Sequence, residues 1–302
     1  MSPDGTDPAG TVSWRELLAE ATDRFRSAGL PSPGADARRV VEEASGAEGA
    51  ELALVLGDAV TERGVARFDA MVARRCTGEP LQYVLGRWGF RTLDLMVDRR
   101  VLIPRPETEA VVEVALAELD ALGGRERSTT VVDLGTGSGA IGLSVAVERV
   151  RSSVWLTDRS DEALEVARAN LAGAGRAAAR VRLAAGDWFA ALPDALRGGV
   201  DLVVSNPPYV PDDAELPAEV ADWEPTGALY AGADGTDDLR CILAGAGEWL
   251  DPLGAVVLEL SPEQAAPLAG VAATLFGEVE VRADLSGRDR VLVARHAVRP
   301  SS

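Results

Sequence analysis

Two hydrophobic periodicities divide the chain. Up to about residue 86 the apolar positions recur at helical spacing; from Thr129 onward they gather into short dense runs. In the first region Ser13-Trp14-Arg15-Glu16 has the form of a capping box, with Val12 and Leu17 placed as a hydrophobic staple. Trp14, Leu17, Leu18, Ala21 and Phe25 share one helical face, and Gly29 ends the segment. Ser32-Pro33 opens a second helix through proline at the first helical position, with Ala37, Val40, Val41 and Ala44 on one side. A short apolar segment, Leu52 to Leu56, comes next. Thr61 then starts a helix carrying Val65, Phe68, Met71 and Val72, which stops near Gly78-Glu79-Pro80. These stripes predict a small helical domain.

The character changes at Arg87. Trp88, Phe90, Leu93, Leu95 and Val97 predict a β-hairpin connector, and a helix follows from about Glu107 to Leu122. Strands are then expected near Thr130–Leu134, Val154–Thr157, Val181–Ala184, Leu202–Ser205, Ala255–Leu260, Val279–Ala283 and Arg290–Ala294. Helical stretches lie between most of them, which predicts an α/β domain with a mostly parallel sheet covered on both faces. The Ser286-Gly287 turn is too short for a crossover helix, so the last strand must run antiparallel to its neighbour. Six alternating strands and a reversed seventh make a Rossmann-like layout. The resulting division is a disordered tail over 1–10, a helical domain over 11–86, a hairpin linker over 87–100 and the α/β domain over 101–302. The tail is rich in Pro, Gly and Asp and lacks the basic start and apolar core of a signal peptide.

Composition narrows the chemistry. Two cysteines, Cys76 and Cys241, suffice for neither a metal knuckle nor a disulfide framework, which points to the cytoplasm, and no metal is expected. One histidine, His296, stands outside every motif below, and lysine is absent, so a P-loop lysine and a Schiff-base lysine are excluded. No run of about 18 apolar residues predicts a membrane span. A formal charge of −18 argues against duplex-DNA binding, which rests on neutralising phosphates. Arg74–Arg75, a modest basic pair, is expected on a solvated helix surface. What remains is chemistry run on backbone groups, carboxylates, amides, aromatics and a cofactor.

The cofactor signals come in order. Val131-Val132-Asp133-Leu134-Gly135-Thr136-Gly137-Ser138-Gly139 runs from a strand into a helix, and glycines there let the backbone approach a ligand. Taken alone, the loop also fits a dinucleotide-binding variant through Gly135, Gly137 and Ala140. Asp158 ends the second strand of the α/β region, where an acid accepts from ribose hydroxyls. Asp187-Trp188 follows the third, where a polar group and an indole suit an adenine. The series resembles that of S-adenosylmethionine-dependent enzymes, with NAD as the alternative. Asn206-Pro207-Pro208-Tyr209 follows the fourth strand. The prolines stiffen the turn and remove competing donors. The Asn206 side-chain oxygen and the Pro207 carbonyl can each accept one hydrogen of a planar NH2 group, while Tyr209 offers a flat face. Asn206 stands next to the cofactor as well. Such a grip favours the charge that develops on a poorly nucleophilic nitrogen, and no strong base is needed.

Asn-Pro-Pro-Tyr resembles the motif of amino-group methyltransferases acting on adenine and on glutamine. Gly78-Glu79-Pro80-Leu81-Gln82-Tyr83-Val84-Leu85-Gly86 and Val101-Leu102-Ile103-Pro104-Arg105-Pro106-Glu107-Thr108-Glu109 bring the resemblance to the PrmC/HemK family. So do Asp187-Trp188-Phe189, Glu224-Pro225 with Gly232–Gly235, Leu258-Glu259-Leu260 and Asp284-Leu285-Ser286-Gly287-Arg288-Asp289-Arg290. The match extends from Trp14 to Arg295 and is weakest in the helical domain. It implies methylation of the glutamine N5 in the Gly-Gly-Gln loop of a peptide chain release factor, with S-adenosylmethionine as donor. It further implies that the helical domain grips the release factor and that Pro104–Glu109 borders the cofactor. Ser261 departs from the family, which often has glycine there. A relative acting on a ribosomal-protein glutamine shares Asn-Pro-Pro-Tyr but tends to replace the Pro-Glu-Thr-Glu stretch present here. A DNA adenine methyltransferase would require a basic cleft and a target-recognition domain. A non-catalytic binding module would not require Asn206 and the glycines.

Overall fold

A computed structural model describes residues 11–123 and 126–298; the tail expected over 1–10 lies outside the described residues. The chain divides into two compact units, one of Met1–Gly86 with Pro217–Trp223, the other of Arg87–Leu216 with Glu224–Ser302. Among the described residues no helix is long and apolar enough to cross a membrane.

The first unit holds α1 (Trp14–Ser27), α2 (Pro33–Ser45), α3 (Ala50–Val55), α4 (Glu62–Cys76) and α5 (Leu81–Leu85). Ser13 caps α1 reciprocally: its backbone N–H donates to Glu16 Oε2 at 2.8 Å, and its Oγ accepts from Glu16 N at 3.4 Å. Thr61 Oγ1 accepts from Gly64 N at 3.1 Å at the head of α4. Ser32 makes no side-chain cap, so α2 starts on Pro33 alone. Trp14, Leu17, Phe25, Val40, Val41, Phe68 and Val72 form the core, as the helical stripes predict. Arg75 departs from its expected place on the surface. It is 3% exposed and donates to Asp36 Oδ2 at 2.9 Å, to the Glu79 carbonyl at 2.8 Å and to Glu219 Oε1 at 3.0 Å. A guanidinium carries enough fixed donors to be buried when each meets an acceptor, and local spacing does not reveal acceptors this distant in the chain.

The second unit opens with the antiparallel hairpin β1 (Arg87–Phe90) and β2 (Leu93–Met96). The hairpin is built into this unit: Phe90 and Leu95 lie in one of its core layers. There follow α6 (Thr108–Ala121), β3 (Thr129–Leu134), α7 (Ala140–Glu148), β4 (Ser152–Asp158), α8 (Asp161–Gly173), β5 (Val181–Ala185) and β6 (Val200–Ser205). The short α9 (Ala218–Ala221) falls in the segment that belongs to the helical unit. After it come α10 (Asp237–Trp249), β7 (Leu250–Glu259), α11 (Ala265–Ala272), β8 (Phe276–Ala283) and β9 (Asp289–Ala297).

The seven strands are ordered β5-β4-β3-β6-β7-β9-β8. Neighbours from β5 to β7 are parallel, and β9 runs antiparallel to both β7 and β8. The reversal is the one the short turn demands. Both faces of the sheet are buried. Val131, Leu202, Val204, Val257 and Val293 face one layer, while Val132, Val203, Val256, Leu258 and Leu292 face the other. Alternate residues fill opposite layers, so the strands read as nearly continuous apolar runs. The order reverses between β3 and β6, and ligands in such sheets bind at the carboxyl ends beside that point.

Candidate active site

The glycine loop leaves β3 at the switch point. Gly135 and Gly137 have φ of 67° and 55°, left-handed conformations that suit residues without a Cβ. Thr136 N donates to the Thr157 carbonyl at 2.9 Å, tying the loop to the end of β4. Gly139 heads α7, buried, and a Cβ there would stand 2.8 Å from Leu143 Cδ1. Beneath the loop lies Asp133, fully buried. Its Oδ2 accepts from Thr136 Oγ1 at 2.6 Å and from Gly142 N at 2.9 Å, and its Oδ1 has no partner. Burial pushes this carboxyl up to about 7, against the opposing pull of those two donors.

Asp158 stands at the end of β4. One oxygen accepts from Gly137 N at 3.0 Å and the other from Ser160 N at 2.9 Å. Each oxygen retains a lone pair for a further donor. After β5, Gly186 approaches Ala191 so closely that a Cβ would stand 2.8 Å from its Cα. Trp188 follows with φ of 43°, a conformation costly for a bulky side chain. The constraint sets the half-buried indole beside the loop, where a Cβ on Gly135 would come 3.4 Å from the ring.

β6 delivers the Asn-Pro-Pro-Tyr turn. Ser205 Oγ donates to the Leu134 carbonyl at 2.6 Å, locking the two strand ends together. Asn206 Nδ2 donates to Thr108 Oγ1 at 3.3 Å, and its Oδ1 takes no hydrogen bond among the described residues. Pro207 and Pro208 are buried. The Tyr209 hydroxyl donates to Glu259 Oε1 at 3.2 Å, and burial, then the nearby Glu259 charge, raise its pKa well above the usual phenol value. The turn is held from behind by Gln264, whose Nε2 donates to the carbonyls of Tyr209 and Gly235 at 2.9 Å each.

Gly135, Thr136, Gly137, Ser138, Asp158, Asp187, Trp188, Asn206 and Pro208 line one cavity of about 260 Å³, of the order of a small-molecule site. Gly139, Pro207 and Tyr209 stand outside that lining: the first caps a helix, the second is buried, and the third turns its hydroxyl to Glu259. Leu102, from the Val101–Glu109 motif, also lines the cavity, and residues without a signal in local spacing complete the wall, among them Arg100, Ile141, Arg159 and Gly227. Arg159 donates to the Gly227 carbonyl at 2.9 Å, and Arg100 is paired with Asp98 and Glu165. Pro104 and Thr108, from the Pro104–Glu109 segment, also line it. Arg105 is ion-paired to the buried Glu224, whose other oxygen accepts from Ile103 N at 3.1 Å. Glu224 therefore anchors the irregular segment that leads to α6, a role that a motif alone does not disclose.

A reversed seventh strand, a glycine loop at the switch point and Asn-Pro-Pro-Tyr on the adjoining strand end define a Rossmann-like methyltransferase. Residues 113–221 match the methyltransferase small domain, and residues 16–86 match the PrmC N-terminal domain. The catalytic domain of hMettl16, solved in complex with a MAT2A 3'UTR hairpin, shares the fold: TM-score 0.53 at 16% identity, over 76% of this chain and 83% of that one. The release factor glutamine methyltransferase of Cereibacter sphaeroides is 41% identical over 286 residues, 93% of this chain and 97% of that one. The corresponding enzyme of Deinococcus radiodurans is 40% identical over 285 residues, 94% and 98% of the two chains. The chain belongs to the release factor glutamine methyltransferase family.

Proposed function

We propose that this enzyme transfers a methyl group from S-adenosylmethionine to the side-chain amide nitrogen of the glutamine in the Gly-Gly-Gln loop of a peptide chain release factor, in the cytoplasm. The observation that carries the reading is the Asn206 amide, placed on the wall of the glycine-loop cavity with its Oδ1 unengaged.

The residues present suit the donor. Gly135 and Gly137 leave backbone space along the loop, Asp158 keeps lone pairs for a diol, and Trp188, Leu102 and Ile141 supply apolar surface for a purine. Asp187 stands beside Trp188 as an acceptor for an exocyclic amine. When bound, the sulfonium supplies an electrophilic methyl group that requires no further activation.

The chain supplies position and electrostatics. Asn206 Oδ1 and the Pro207 carbonyl accept the two hydrogens of the substrate amide, so the nitrogen presents its face toward the cavity. Accepting both hydrogens favours the positive charge that grows on that nitrogen. Tyr209, its hydroxyl held by Glu259, borders the planar group. The methylated nitrogen becomes acidic as its new bond forms, so solvent suffices to take the proton. That agrees with a site containing neither histidine nor lysine. The helical unit is assigned to gripping the release factor outside its loop.

The test is incubation with labelled S-adenosylmethionine and intact release factor. Label is expected on wild-type release factor and absent when its Gly-Gly-Gln glutamine is replaced by alanine. Label that survives the replacement overturns the reading, and label on a ribosomal protein or on DNA adenine instead would redirect it.

A further inference from the structure

The buried stripe of α8 carries one polar residue, and the transfer scheme gives it no task. Ala163, Val166 and Ala167 lie on that stripe, and Asn170, two turns beyond Ala163, shares its face. Asparagine is a poor helix former, and packing alone would be served better by leucine. Its amide is engaged on both sides. Oδ1 accepts from Met96 N at 2.7 Å, while Nδ2 donates to the Met96 carbonyl at 3.0 Å and to the Ser138 carbonyl at 2.8 Å.

A side-chain amide accepts and donates side by side, which lets it pair with both backbone groups of Met96 and keep one hydrogen for Ser138. Turning it over would set donor against donor. Each partner leads to the cavity. Ser138 belongs to the glycine loop and lines the cavity, and Gly139 N, in the same peptide group as the Ser138 carbonyl, donates to the Thr136 carbonyl at 2.8 Å. Asn170 and Thr136 therefore hold that peptide at both ends, beside a glycine whose freedom would otherwise let it flip. Met96 leads into a stiff turn: the Asp98 carbonyl accepts from Val101 N and Asp98 Oδ1 from Arg100 N, both at 3.0 Å. Arg100, Val101 and Leu102 then line the cavity.

We propose that Asn170 is a positioning residue for the methyl donor: standing outside the cavity lining, it fixes the glycine loop and the 100–102 segment relative to each other. It does so from α8, whose own head contributes Ser160 and Ala163 to the wall. Removing the amide leaves the Ser138 carbonyl and both Met96 groups without their partner, and the two segments relax separately. The donor must then reassemble a site that the wild-type protein holds ready, which costs affinity. The inference rests on the proposed use of S-adenosylmethionine.

The experiment titrates S-adenosylmethionine into wild type, Asn170→Leu, Asn170→Ala and Asp201→Ala, each well below its melting temperature, and follows amide hydrogen exchange in the unliganded proteins. Asp201 is the control. Buried at the amino end of β6, it accepts from Thr130 N at 2.8 Å, so its loss also strands a backbone group, but at the other end of the strands from the glycine loop. Each Asn170 variant is expected to bind the donor about 10- to 100-fold more weakly. The Met96 amide should exchange about tenfold faster or more, with the central strands unchanged. Asp201→Ala should melt earlier than wild type yet keep donor affinity within about threefold. At saturating donor, KM for the release factor should stay within about threefold in all variants, since Ser205 and Gln264 anchor the acceptor turn separately. Wild-type donor affinity in Asn170→Ala overturns the inference while leaving the proposed function standing, and so does an equal loss of affinity in Asp201→Ala. A wild type that binds no S-adenosylmethionine overturns both. Should Asn170→Leu fail to fold, Asn170→Ala decides, because its smaller side chain leaves room for water at the stranded groups.

Discussion

Asn206 carries the most chemistry per atom in this chain, and its replacement separates two partners. Asn206→Ala removes an acceptor from the proposed amide grip but leaves Gly135, Gly137 and Asp158 in place. Turnover should fall by about two to three powers of ten while S-adenosylmethionine binds nearly as before. Binding titrations beside turnover measurements check it, and a matching loss of cofactor affinity would reassign the residue. Glu259 gives a second prediction, in stability. Burial pushes its carboxyl from the ordinary 4.5 to about 7, with Thr108, Arg290 and Tyr209 opposing and Glu107 reinforcing the shift. Between those values the folded protein holds a proton that the unfolded chain has released, so stability falls as pH rises. The slope is at most about 1.4 kcal/mol per pH unit for one proton. Glu259→Gln abolishes it. The variant's melting advantage over wild type should therefore widen from pH 4.5 to 7 and level off above, as melting curves across pH would read. Asp133, also pushed to about 7, is common to both proteins and cancels in the difference. A constant difference would mean that Glu259 titrates elsewhere. Asn206, Asp158 and Trp188 were legible because each follows a strand end in a recognisable run. Thr108 and Glu259 were not, since their contacts with Asn206 and Tyr209 bridge 98 and 50 positions of sequence.

Among elements, local signals carried as far as local physics reaches. The Ser13 capping box, the Thr61 cap and the apolar runs mark where α1, α4 and β3 to β6 lie, because capping and alternation are settled within a few residues. The insertion of β9 between β7 and β8 was hidden: antiparallel pairing follows from a short turn, but the choice of second partner depends on the whole sheet. α5 was missed for its five residues, too few for a periodicity. Gly235 shows how one element constrains another. Its φ is 68°, and a Cβ there would stand 2.3 Å from the Tyr209 carbonyl and 2.9 Å from Pro211 N. Neither backbone atom can yield as a flexible side chain would. Gly235→Ala should therefore displace the acceptor turn and break the Gln264 clamp, with about 1–3 kcal/mol of conformational strain besides. The glycine loop is untouched, so methyl transfer should drop while cofactor affinity persists. Retained turnover would show that the turn tolerates the shift.

For the molecule as a whole, the segment that follows the acceptor turn is the informative one. Sequence spacing puts Pro217–Trp223 with the α/β region, yet it belongs to the helical unit. Arg75 ties it there: its Nη1 reaches Glu219 across 144 positions while Nε holds Asp36. A guanidinium buried to 3% exposure tolerates its site only while its donors are met. Asp36→Ala removes the most buried of its partners, and breaking such a pair costs about 3–5 kcal/mol because the remaining charge has no counterpart. The Glu79 carbonyl and Glu219 persist, which puts the expectation at the lower end, about 3 kcal/mol. The helical unit rests on a small core centred on Phe25 and Phe68, so a loss of that size is a large share of a small unit's stability. The α/β unit packs its two layers independently of those residues. Asp36→Ala should accordingly split the melting curve: helical signal should be lost at a lower temperature, with S-adenosylmethionine affinity kept within about threefold at temperatures below the main transition. Under the proposed division of labour, KM for the release factor should rise well before cofactor binding weakens. A single transition, lowered together with cofactor affinity, would mean that the two units fold as one.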